Sequence, residues 1–338
     1  MLKDIIEKIV RFENLDMNEA YEVMKYIIDG NANDCQIASF LTALRMKGET
    51  IDEISGFSKA MLEKAKKVTT KHTDVVDTCG TGGDRKNTFN ISTAAAFIAA
   101  GADVIIAKHG NRSVSSMCGS ADVLEQLGVN INLEISDISK CIDEIGIGFI
   151  FAPNAHVAMK NVAKARKDMG IKTIFNILGP ITNPAMANGR VLGVFDEKLM
   201  DKMIYSLKNL GVKRAFVVYG MEGLDELSIS GNSLVQYLNN GNVVKYVLNP
   251  EELGLKKYGI EELKGGDSKE NAKILHNILS GSEKGAKRDC SVLNAAAAIV
   301  AGGKADSLQE AIKMAVRSIE NGKALAKLNK LIEFTNKF

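Results

Sequence analysis

The spacing of apolar residues changes once along the chain, near Asp74, and this change constrains the fold more than any other feature. Before it, apolar side chains recur at helical spacing, and capping boxes that begin at Asp16 and Thr50 start two of the helices. After it, short apolar runs end in glycine-rich turns and alternate with helical stretches. That alternation is typical of a parallel α/β sheet.

The fold class predicted is therefore α/β: a small all-helical domain plus a larger α/β domain, with a mainly parallel central sheet and helices on both faces. A length of 338 residues agrees with about two domains. We assign residues 1–68 to the helical domain, with a returning segment at about 166–188, and residues 72–165 and 189–338 to the α/β domain. Strands are predicted at 75–76, 103–107, 147–151, 191–195 and 215–219, with a hairpin turn at 239–242.

Composition excludes several classes of protein. Lys and Arg number 43 against 41 Asp and Glu, so the net charge of +2 gives no support to a dedicated nucleic-acid or membrane-surface protein. The amino terminus lacks a signal-like apolar segment, and we expect a cytoplasmic protein with no membrane or nucleic-acid partner. The five cysteines are dispersed without a C-x-x-C pair, which argues against disulfides and structural zinc and favours buried cysteines.

The segment DTCGTGGD, residues 77–84, follows the first predicted strand. Its glycines let the backbone approach a ligand, and consecutive N–H groups can bind an anion. It is neither a Walker A loop nor a dinucleotide fingerprint, because no G-K-[ST] follows and Arg85 occupies the third glycine position. Asn90, Ser92 and Thr93 then start a helix and suit phosphate or magnesium-bound phosphate. The alternative is a simple strand-to-helix turn.

Two further segments bear on the same chemistry. Residues 108–116, KHGNRSVSS, bring two cations, three hydroxyls and an amide to the end of the next strand, where open α/β sheets bind ligands. The alternative is a solvated polar loop. Asp225 and Glu226 follow a later strand and can hold Mg²⁺ with several waters retained, although such a pair is usually solvated in a turn.

Taken in order, GTGGD, TFNIST, KHGNRSVSS with GSADVLEQLG, HVAMK, RKDMGIKTIFNILGPITNPA and GLDELS resemble the anthranilate phosphoribosyltransferase family. This family shares its fold with pyrimidine nucleoside phosphorylases. The resemblance covers nearly the whole chain. It implies transfer of 5-phosphoribose from phosphoribosyl pyrophosphate (PRPP) to the amine of anthranilate, in tryptophan biosynthesis. It also implies a homodimer and Mg²⁺, with two ions per active site.

The resemblance also implies the following site residues. The PRPP pocket comprises Gly80, Gly83, Asp84, Thr88, Asn90, Ile91, Ser92, Thr93, Lys108, His109, Gly110, Asn111, Arg112, Ser113, Val114, Ser115, Ser116 and Ser120. The anthranilate site comprises Gly80, Asn111, His156, Arg166 and Pro180. The metal ligands are Ser92, Asp225 and Glu226. The chain departs from the family pattern at Met117, Arg85 and Tyr219, none of which is a carried-over ligand.

No catalytic base is assigned. An aromatic amine is already a neutral nucleophile near pH 7, so positioning and stabilisation of the leaving group suffice, with Lys108 in support. His156 is interpreted as a pocket-wall residue that forms a hydrogen bond, with a general base as the alternative. Two other functions stay open: a pyrimidine nucleoside phosphorylase, and a catalytically silent homologue that binds nucleic acid.

Overall fold

Residues 1–113 and 117–338 are described by the computed structural model of the chain. The part before Asp74 is helical, as predicted. The capping boxes of Asp16 and Thr50 are both formed, and Asn33 caps a further helix in the same way. These helices are α1 (Leu2–Val10), α2 (Met17–Ile28), α3 (Asp34–Lys47) and α4 (Ile51–Lys64).

Beyond Asp74 the chain forms a twisted sheet whose strands are β1 (Val75–Gly80), β2 (Ile105–Gly110), β3 (Ile147–Phe151), β4 (Gly189–Gly193), β5 (Arg214–Gly220), β6 (Ser233–Asn239) and β7 (Asn242–Leu248). Their order is β3-β2-β1-β4-β5-β6-β7. Pairing is parallel from β3 through β5, and β6 and β7 add antiparallel strands joined by the predicted hairpin turn. The mainly parallel sheet is confirmed.

Three predicted strands have other bounds in the structure. The strand predicted at 75–76 extends to Gly80, into the predicted glycine loop, and two others are shifted by about two residues. The strand predicted at 103–107 is Ile105–Gly110, because Asp103 adopts φ 63° in the turn that precedes it. The strand predicted at 191–195 is Gly189–Gly193, and its pairing with β1 begins already at Gly189 opposite Val76. Apolar runs identify a strand, but the hydrogen-bonded neighbour sets its ends.

Helices cover both faces of the sheet, as a parallel sheet requires. Neighbouring residues point to opposite faces: Val191 and Phe216 belong to one apolar cluster, Leu192 and Val217 to the other. The helices after Asp74 are α5 (Ile91–Gly101), α6 (Ser120–Gln126), α7 (Ile135–Ile145), α8 (Ala152–Ala155), α9 (Lys160–Met169), α10 (Phe175–Leu178), α11 (Met200–Asn209), α12 (Ser268–Leu279), α13 (Ala286–Ala301), α14 (Leu308–Glu320) and α15 (Lys323–Thr335). Helices α5 and α13 lie on the first face and α11 on the second.

Helices α9 and α10 lie against the amino-terminal helices. Val162 and Phe175 belong to the same buried apolar cluster as Phe40 and Phe57. The Asn161 Nδ2 donates a hydrogen bond of 2.8 Å to the carbonyl oxygen at the end of α2. The segment that follows α8 is therefore built into the helical part of the molecule, although it belongs in sequence to the crossover between β3 and β4.

Cysteine burial agrees with the sequence only in part. Cys118, Cys141 and Cys290 are buried as expected, but Cys79 is half-buried and Cys35 is exposed on α3, so the expectation was wrong for Cys35. All five thiols are free. Across the two described ranges, none of the helices combines the length and the apolar character needed to cross a membrane.

Candidate active site

Strands β1, β2, β4 and β5 all end in glycine, at Gly80, Gly110, Gly193 and Gly220. Because these neighbouring strands are parallel, their carboxyl ends lie at one edge of the sheet. The predicted glycine segment, 77–84, starts within β1 and leaves the sheet after Gly80. The KHGNR segment ends β2, and the Asp225–Glu226 pair follows β5. The fold thus gathers at one edge three segments that are widely separated in sequence, as expected for ligand binding in such sheets.

Asp225 and Glu226 are buried at this edge, with 9% and 8% of their surface exposed. The Asp225 Oδ2 accepts a hydrogen bond of 2.7 Å from the backbone N–H of Gly82, which ties the pair to the glycine loop. Burial, followed by the nearby Asp84 charge, raises the pKa of Asp225 to about 7. Burial and the Asp225 charge raise the pKa of Glu226 well above its usual range, against the opposing effect of Lys108.

Glycine is required at two strand ends because the Asp225 segment passes so close. A Cβ at Gly80 would clash with the Asp225 Oδ2, and a Cβ at Gly193 would clash with the Asp225 carbonyl oxygen. Both strands can therefore end in this position only without a side chain. Because Gly80 and Gly193 have no side chains, there is space at this edge both for the Asp225–Glu226 segment and for a ligand.

The cluster fits a hard cation such as Mg²⁺. The Asp84 Oδ2 is buried without a hydrogen-bond partner in the described chain, and its charge acts on both Asp225 and Glu226. Within residues 1–113 and 117–338, no three acidic, histidine or cysteine side chains are grouped so as to hold a metal ion. This is compatible with Mg²⁺, which is usually held by one or two carboxylates, retained waters and substrate phosphates.

Lys108 lies on β2 and is only 3% exposed. Its ammonium donates hydrogen bonds to the Thr78 carbonyl oxygen at 2.6 Å and to the Ser92 Oγ at 3.3 Å. Burial lowers the pKa of Lys108, and the carboxylates of Asp77 and Glu226 oppose the shift. The buried Lys108 ammonium thus connects the end of β1 and the start of α5 with the Asp225–Glu226 pair, so all three belong to one site.

Helix α5 begins within the site. Asn90 is its N-cap, but its side chain forms no capping hydrogen bond. The amide instead donates to the Cys118 carbonyl oxygen at 3.1 Å and accepts from the Asn271 Nδ2 at 3.1 Å. The Thr93 Oγ1 is buried without a partner in the described ranges, which leaves a hydroxyl donor for a ligand. The N–H groups of Ile91 and Thr93 donate to the carbonyl oxygens of Phe89 and Asn90, at 2.7 and 3.1 Å. Thr88 pairs in a bridge with Lys264, and Ile91 is buried.

The loop after β2 is held in shape by Arg112, an exposed residue that forms ion pairs with two carboxylates of α6. Its guanidinium contacts Asp122 at 3.0 Å and Glu125 at 2.8 Å. The Asp122 Oδ2 also accepts from the Ser113 N–H, so this pair holds the loop to α6. Asn111 is exposed, and its carbonyl oxygen is 3.4 Å from the Ser120 Oγ. Val114, Ser115 and Ser116 lie outside the described residues.

His109 and His156 form a buried pair, with ring centroids 5.2 Å apart. Burial lowers the pKa of His156 to about 4 and that of His109 well below its usual value, so both are neutral. The His156 Nε2 donates to the Thr182 carbonyl oxygen at 3.0 Å. The His109 Nε2 is buried and without a partner in the described chain.

Arg166 lies on α9, and its guanidinium stands 5.0 Å from the centre of the Phe175 ring. No hydrogen bond or ion pair of its side chain is found in the described residues, and burial lowers its pKa. The Cys79 Sγ donates a hydrogen bond of 3.4 Å to the Pro180 carbonyl oxygen. That contact links the segment carrying Arg166 to the end of β1, next to the glycine loop.

Sequence reasoning missed Arg190 and Asn271, two residues that support the site, and placed Asp77 in the glycine loop rather than on β1. Asp77 and Arg190 form a buried ion pair at 2.8 Å, and Asp77 also accepts the His109 N–H at 3.0 Å. A charged residue within the apolar start of β1 was the available signal. Asn271, which positions Asn90, lies on α12 and gave no signal. Of the departures from the family pattern, Met117 and Arg85 are exposed and Tyr219 is half-buried.

Comparisons with known proteins agree with the fold. A family model described as "Glycosyl transferase family, a/b domain" matches residues 72–325, and one described as its helical bundle domain matches residues 3–65. An anthranilate phosphoribosyltransferase of Petrotoga mobilis is 50% identical over 99% of this chain and 97% of its own.

Two solved structures are also similar. The anthranilate phosphoribosyltransferase of Thermus thermophilus is 41% identical, with a TM-score of 0.93 over 98% of this chain and 99% of its own. That of Saccharomyces cerevisiae, solved in complex with PRPP and Mg, is 29% identical, with a TM-score of 0.90 over 100% of this chain and 98% of its own. By sequence and by fold, this chain belongs to the anthranilate phosphoribosyltransferase family.

Proposed function

We propose that this chain transfers 5-phosphoribose from PRPP to the amino group of anthranilate, giving N-(5-phosphoribosyl)anthranilate and pyrophosphate in tryptophan biosynthesis. The observation that carries the proposal is the convergence, at one sheet edge, of the glycine loop, buried Lys108 and the buried pair of Asp225 and Glu226. That set suits a polyanionic donor with a bound cation.

The donor's phosphates would be held by the glycine loop, the start of α5 and the loop after β2. The unpartnered Thr93 Oγ1 supports this assignment, because a phosphate oxygen supplies the missing acceptor. Lys108 would stabilise charge on the departing pyrophosphate. The proposed residues are those named above for PRPP, from Gly80 to Ser120, including the loop residues that the structure does not describe.

Mg²⁺ is the proposed metal, two ions per site, with Ser92, Asp225 and Glu226 as ligands. When bound, Mg²⁺ neutralises charge on the diphosphate of the donor and on the leaving pyrophosphate. The raised pKa values of the two carboxylates support a cation site, because an added positive charge relieves the cost of burying them ionised. Asp84, with its unpartnered buried oxygen, would accept a hydrogen bond from metal-bound water.

Anthranilate would lie against His156, Arg166, Asn111, Pro180 and the backbone at Gly80. Arg166 has no anionic partner in the described chain, so its guanidinium is available for the anthranilate carboxylate. Neutral His109 and His156 provide an uncharged wall. His156 is not needed as a base, since the amine attacks as a neutral nucleophile and loses a proton to solvent after the C–N bond forms. The bond from ribose C1 to the pyrophosphate oxygen breaks in the same exchange.

The rival functions differ in substrate. A pyrimidine nucleoside phosphorylase needs no metal-bound leaving group, and a nucleic-acid-binding homologue does not need a buried carboxylate cluster. The purified chain is incubated with PRPP, anthranilate and Mg²⁺, and in parallel with thymidine and phosphate. Mass spectrometry should find phosphoribosylated anthranilate in the first mixture and no thymine in the second. Thymine release alone would favour the phosphorylase. A steeply salt-dependent affinity for DNA, without turnover of either substrate mixture, would favour the silent homologue.

Three further assignments belong to the proposal: the domain boundaries given above, a cytoplasmic location and a homodimer. Exposed apolar side chains in the helical part, Val10, Phe12 and Met46, support a self-association surface there. Sedimentation of the purified chain tests the dimer. A dimer that dissociates on replacing Phe12 and Met46 by serine is expected, and a monomeric wild-type chain would contradict the assignment.

A further inference from the structure

Lys172, which has no role in the site assignments above, brings a second ammonium group to the glycine loop. A Cβ at Gly83 would clash with the Lys172 Nζ, so the ammonium lies directly against this turn. Gly83 itself has φ 83°, which together with the close approach of Lys172 favours glycine here. Lys172 reaches the loop from the segment between α9 and α10.

Contacts order both the ammonium of Lys172 and the backbone that carries it. The Lys172 Nζ lies 4.0 Å from the centre of the Phe195 ring, and the Phe195 N–H donates to the Thr81 Oγ1 at 3.1 Å. Thr81 belongs to the glycine loop, so ring and loop are tied together. The Thr173 N–H donates to the Asn176 Oδ1 at 2.9 Å, which orders the backbone next to Lys172.

The charge of Lys172 is not matched by an anion of the protein. None of the ion pairs found in the two described ranges includes the Lys172 Nζ, whose contacts there are the Phe195 ring and the Gly83 turn, although Asp84 is adjacent to Gly83 in sequence. The aromatic face of Phe195 attracts a cation without neutralising it. The side chain is half-buried, so water does not fully take the place of an anion.

We propose that Lys172 is a further donor-binding residue, whose ammonium contacts the diphosphate of the phosphoribosyl donor, and the pyrophosphate product, at the Gly82–Gly83 turn. This rests on the proposed function for the identity of the donor. The Gly82 N–H binds Asp225, so the same turn borders the proposed metal ligands, where the diphosphate would be held. Arg166, one segment earlier, is the group assigned to the acceptor carboxylate.

The test uses the full chain and three variants. Lys172→Met keeps the aliphatic stem and removes the charge, and Lys172→Arg keeps the charge. Lys256→Met is the matched control, since the exposed Lys256 ammonium also lies over an aromatic ring, 5.2 Å from the centre of Tyr258, but not at the sheet edge. Thermal unfolding checks that each variant is folded. The measured quantities are KM for each substrate and, by calorimetry with Mg²⁺ present, Kd for inorganic pyrophosphate.

Lys172→Met should raise both the PRPP KM and the pyrophosphate Kd about tenfold, as expected for one lost charge-assisted contact, and change the anthranilate KM less than twofold. Lys172→Arg should restore most of the affinity, and Lys256→Met should match the wild type. Unchanged pyrophosphate affinity in Lys172→Met would overturn the proposal, as would a rise confined to the anthranilate KM. If the wild type binds pyrophosphate but does not transfer phosphoribose, the proposed function fails, while the pyrophosphate comparison still decides the role of Lys172.

Discussion

Asp225 and Glu226 show how far a residue type alone can be interpreted. The sequence predicted the pair as metal ligands next to a strand end. It did not predict that both are buried or that Asp84 acts on both, because these depend on contacts between residues more than 140 positions apart. Burial is what makes the pair chemically specific, since a buried carboxylate requires a compensating cation or a proton.

Replacing the pair tests its role. We expect Asp225→Asn combined with Glu226→Gln to remove most transferase activity, because charge stabilisation of the leaving group is worth several kcal/mol. Stability without Mg²⁺ should be equal or higher, since the amides remove repulsion between buried carboxylates. Circular dichroism and steady-state rates over a range of Mg²⁺ concentrations measure both. Activity within a few-fold of wild type at low Mg²⁺ would rule out the metal assignment.

Arg166 is the residue whose role most depends on the acceptor. Arg166→Ala should raise the anthranilate KM about 10- to 100-fold, the usual effect of losing a hydrogen bond to a charged group, and change the PRPP KM far less. Arg317→Ala, at an exposed arginine of α14, is the matched control. Steady-state kinetics with each substrate varied in turn decide the question. Equal losses for both substrates would indicate misfolding, and a loss confined to PRPP would contradict the assignment.

At the scale of elements, a buried ion pair joins three strands at the site. Asp77 of β1 accepts hydrogen bonds from Arg190 of β4 and from the backbone of His109 on β2. The sequence analysis assigned Asp77 to the glycine loop, because it precedes the glycines. No local sequence pattern specifies that β1 pairs with both β2 and β4. Because of this pairing, the Asp77 carboxylate holds the end of β2 in place.

Breaking this pair should cost more than breaking a surface pair. Arg190→Met leaves the buried Asp77 carboxylate uncompensated, and we expect a loss of about 3–5 kcal/mol in the free energy of unfolding. Lys245→Met, which removes an exposed pair with Asp201, should cost less than about 1 kcal/mol. Adding Asp77→Asn to Arg190→Met should recover part of the loss. Denaturant unfolding measures all four proteins, and a cost below 1 kcal/mol for Arg190→Met would refute this account of the pair.

Across the whole molecule, the sequence predicted most of the architecture because its signals are local. Capping boxes, glycine turns and the hairpin at 239–242 need only neighbouring residues, and the helical and α/β parts follow from them. The contacts that complete the site are not local. Asn271 is 181 positions from Asn90, and Lys172 reaches Gly83 from a segment packed on the helical part. The spacing of apolar residues along the chain does not predict contacts between residues so far apart in sequence.

Burial of neutral His156 makes the stability of the whole chain depend on pH. Its pKa in the folded chain is about 4, below that of the unfolded chain at about 6.5, so between these values the unfolded state binds more protons. The contribution of His156 to stability is therefore present above pH 6.5 and is lost as pH falls, by up to about 1.4 kcal/mol per pH unit. Buried Asp225 and Glu226 have raised pKa values and act in the opposite direction.

A comparison of variants isolates this effect. The stability of wild type minus that of His156→Asn should decrease from pH 7 to pH 4.5, because only the wild type must keep a buried imidazole neutral or bury its charge. His276→Asn, at an exposed histidine of α12, is the matched surface control. Unfolding by urea at a series of pH values measures the free energy of unfolding of each protein. A difference that stays constant or grows as pH falls would exclude the buried neutral histidine.

The most direct test of the proposed transfer is the fluorescence of anthranilate in the presence of the purified chain. With PRPP and Mg²⁺ both present, the signal should decay, and pyrophosphate should appear in an amount equal to the anthranilate consumed. Omitting PRPP, or chelating Mg²⁺, should abolish the decay. A signal that stays constant in the complete mixture, with a folded chain and fresh PRPP, would contradict the transferase assignment, and an equal rate without Mg²⁺ would contradict the role given to the carboxylate pair.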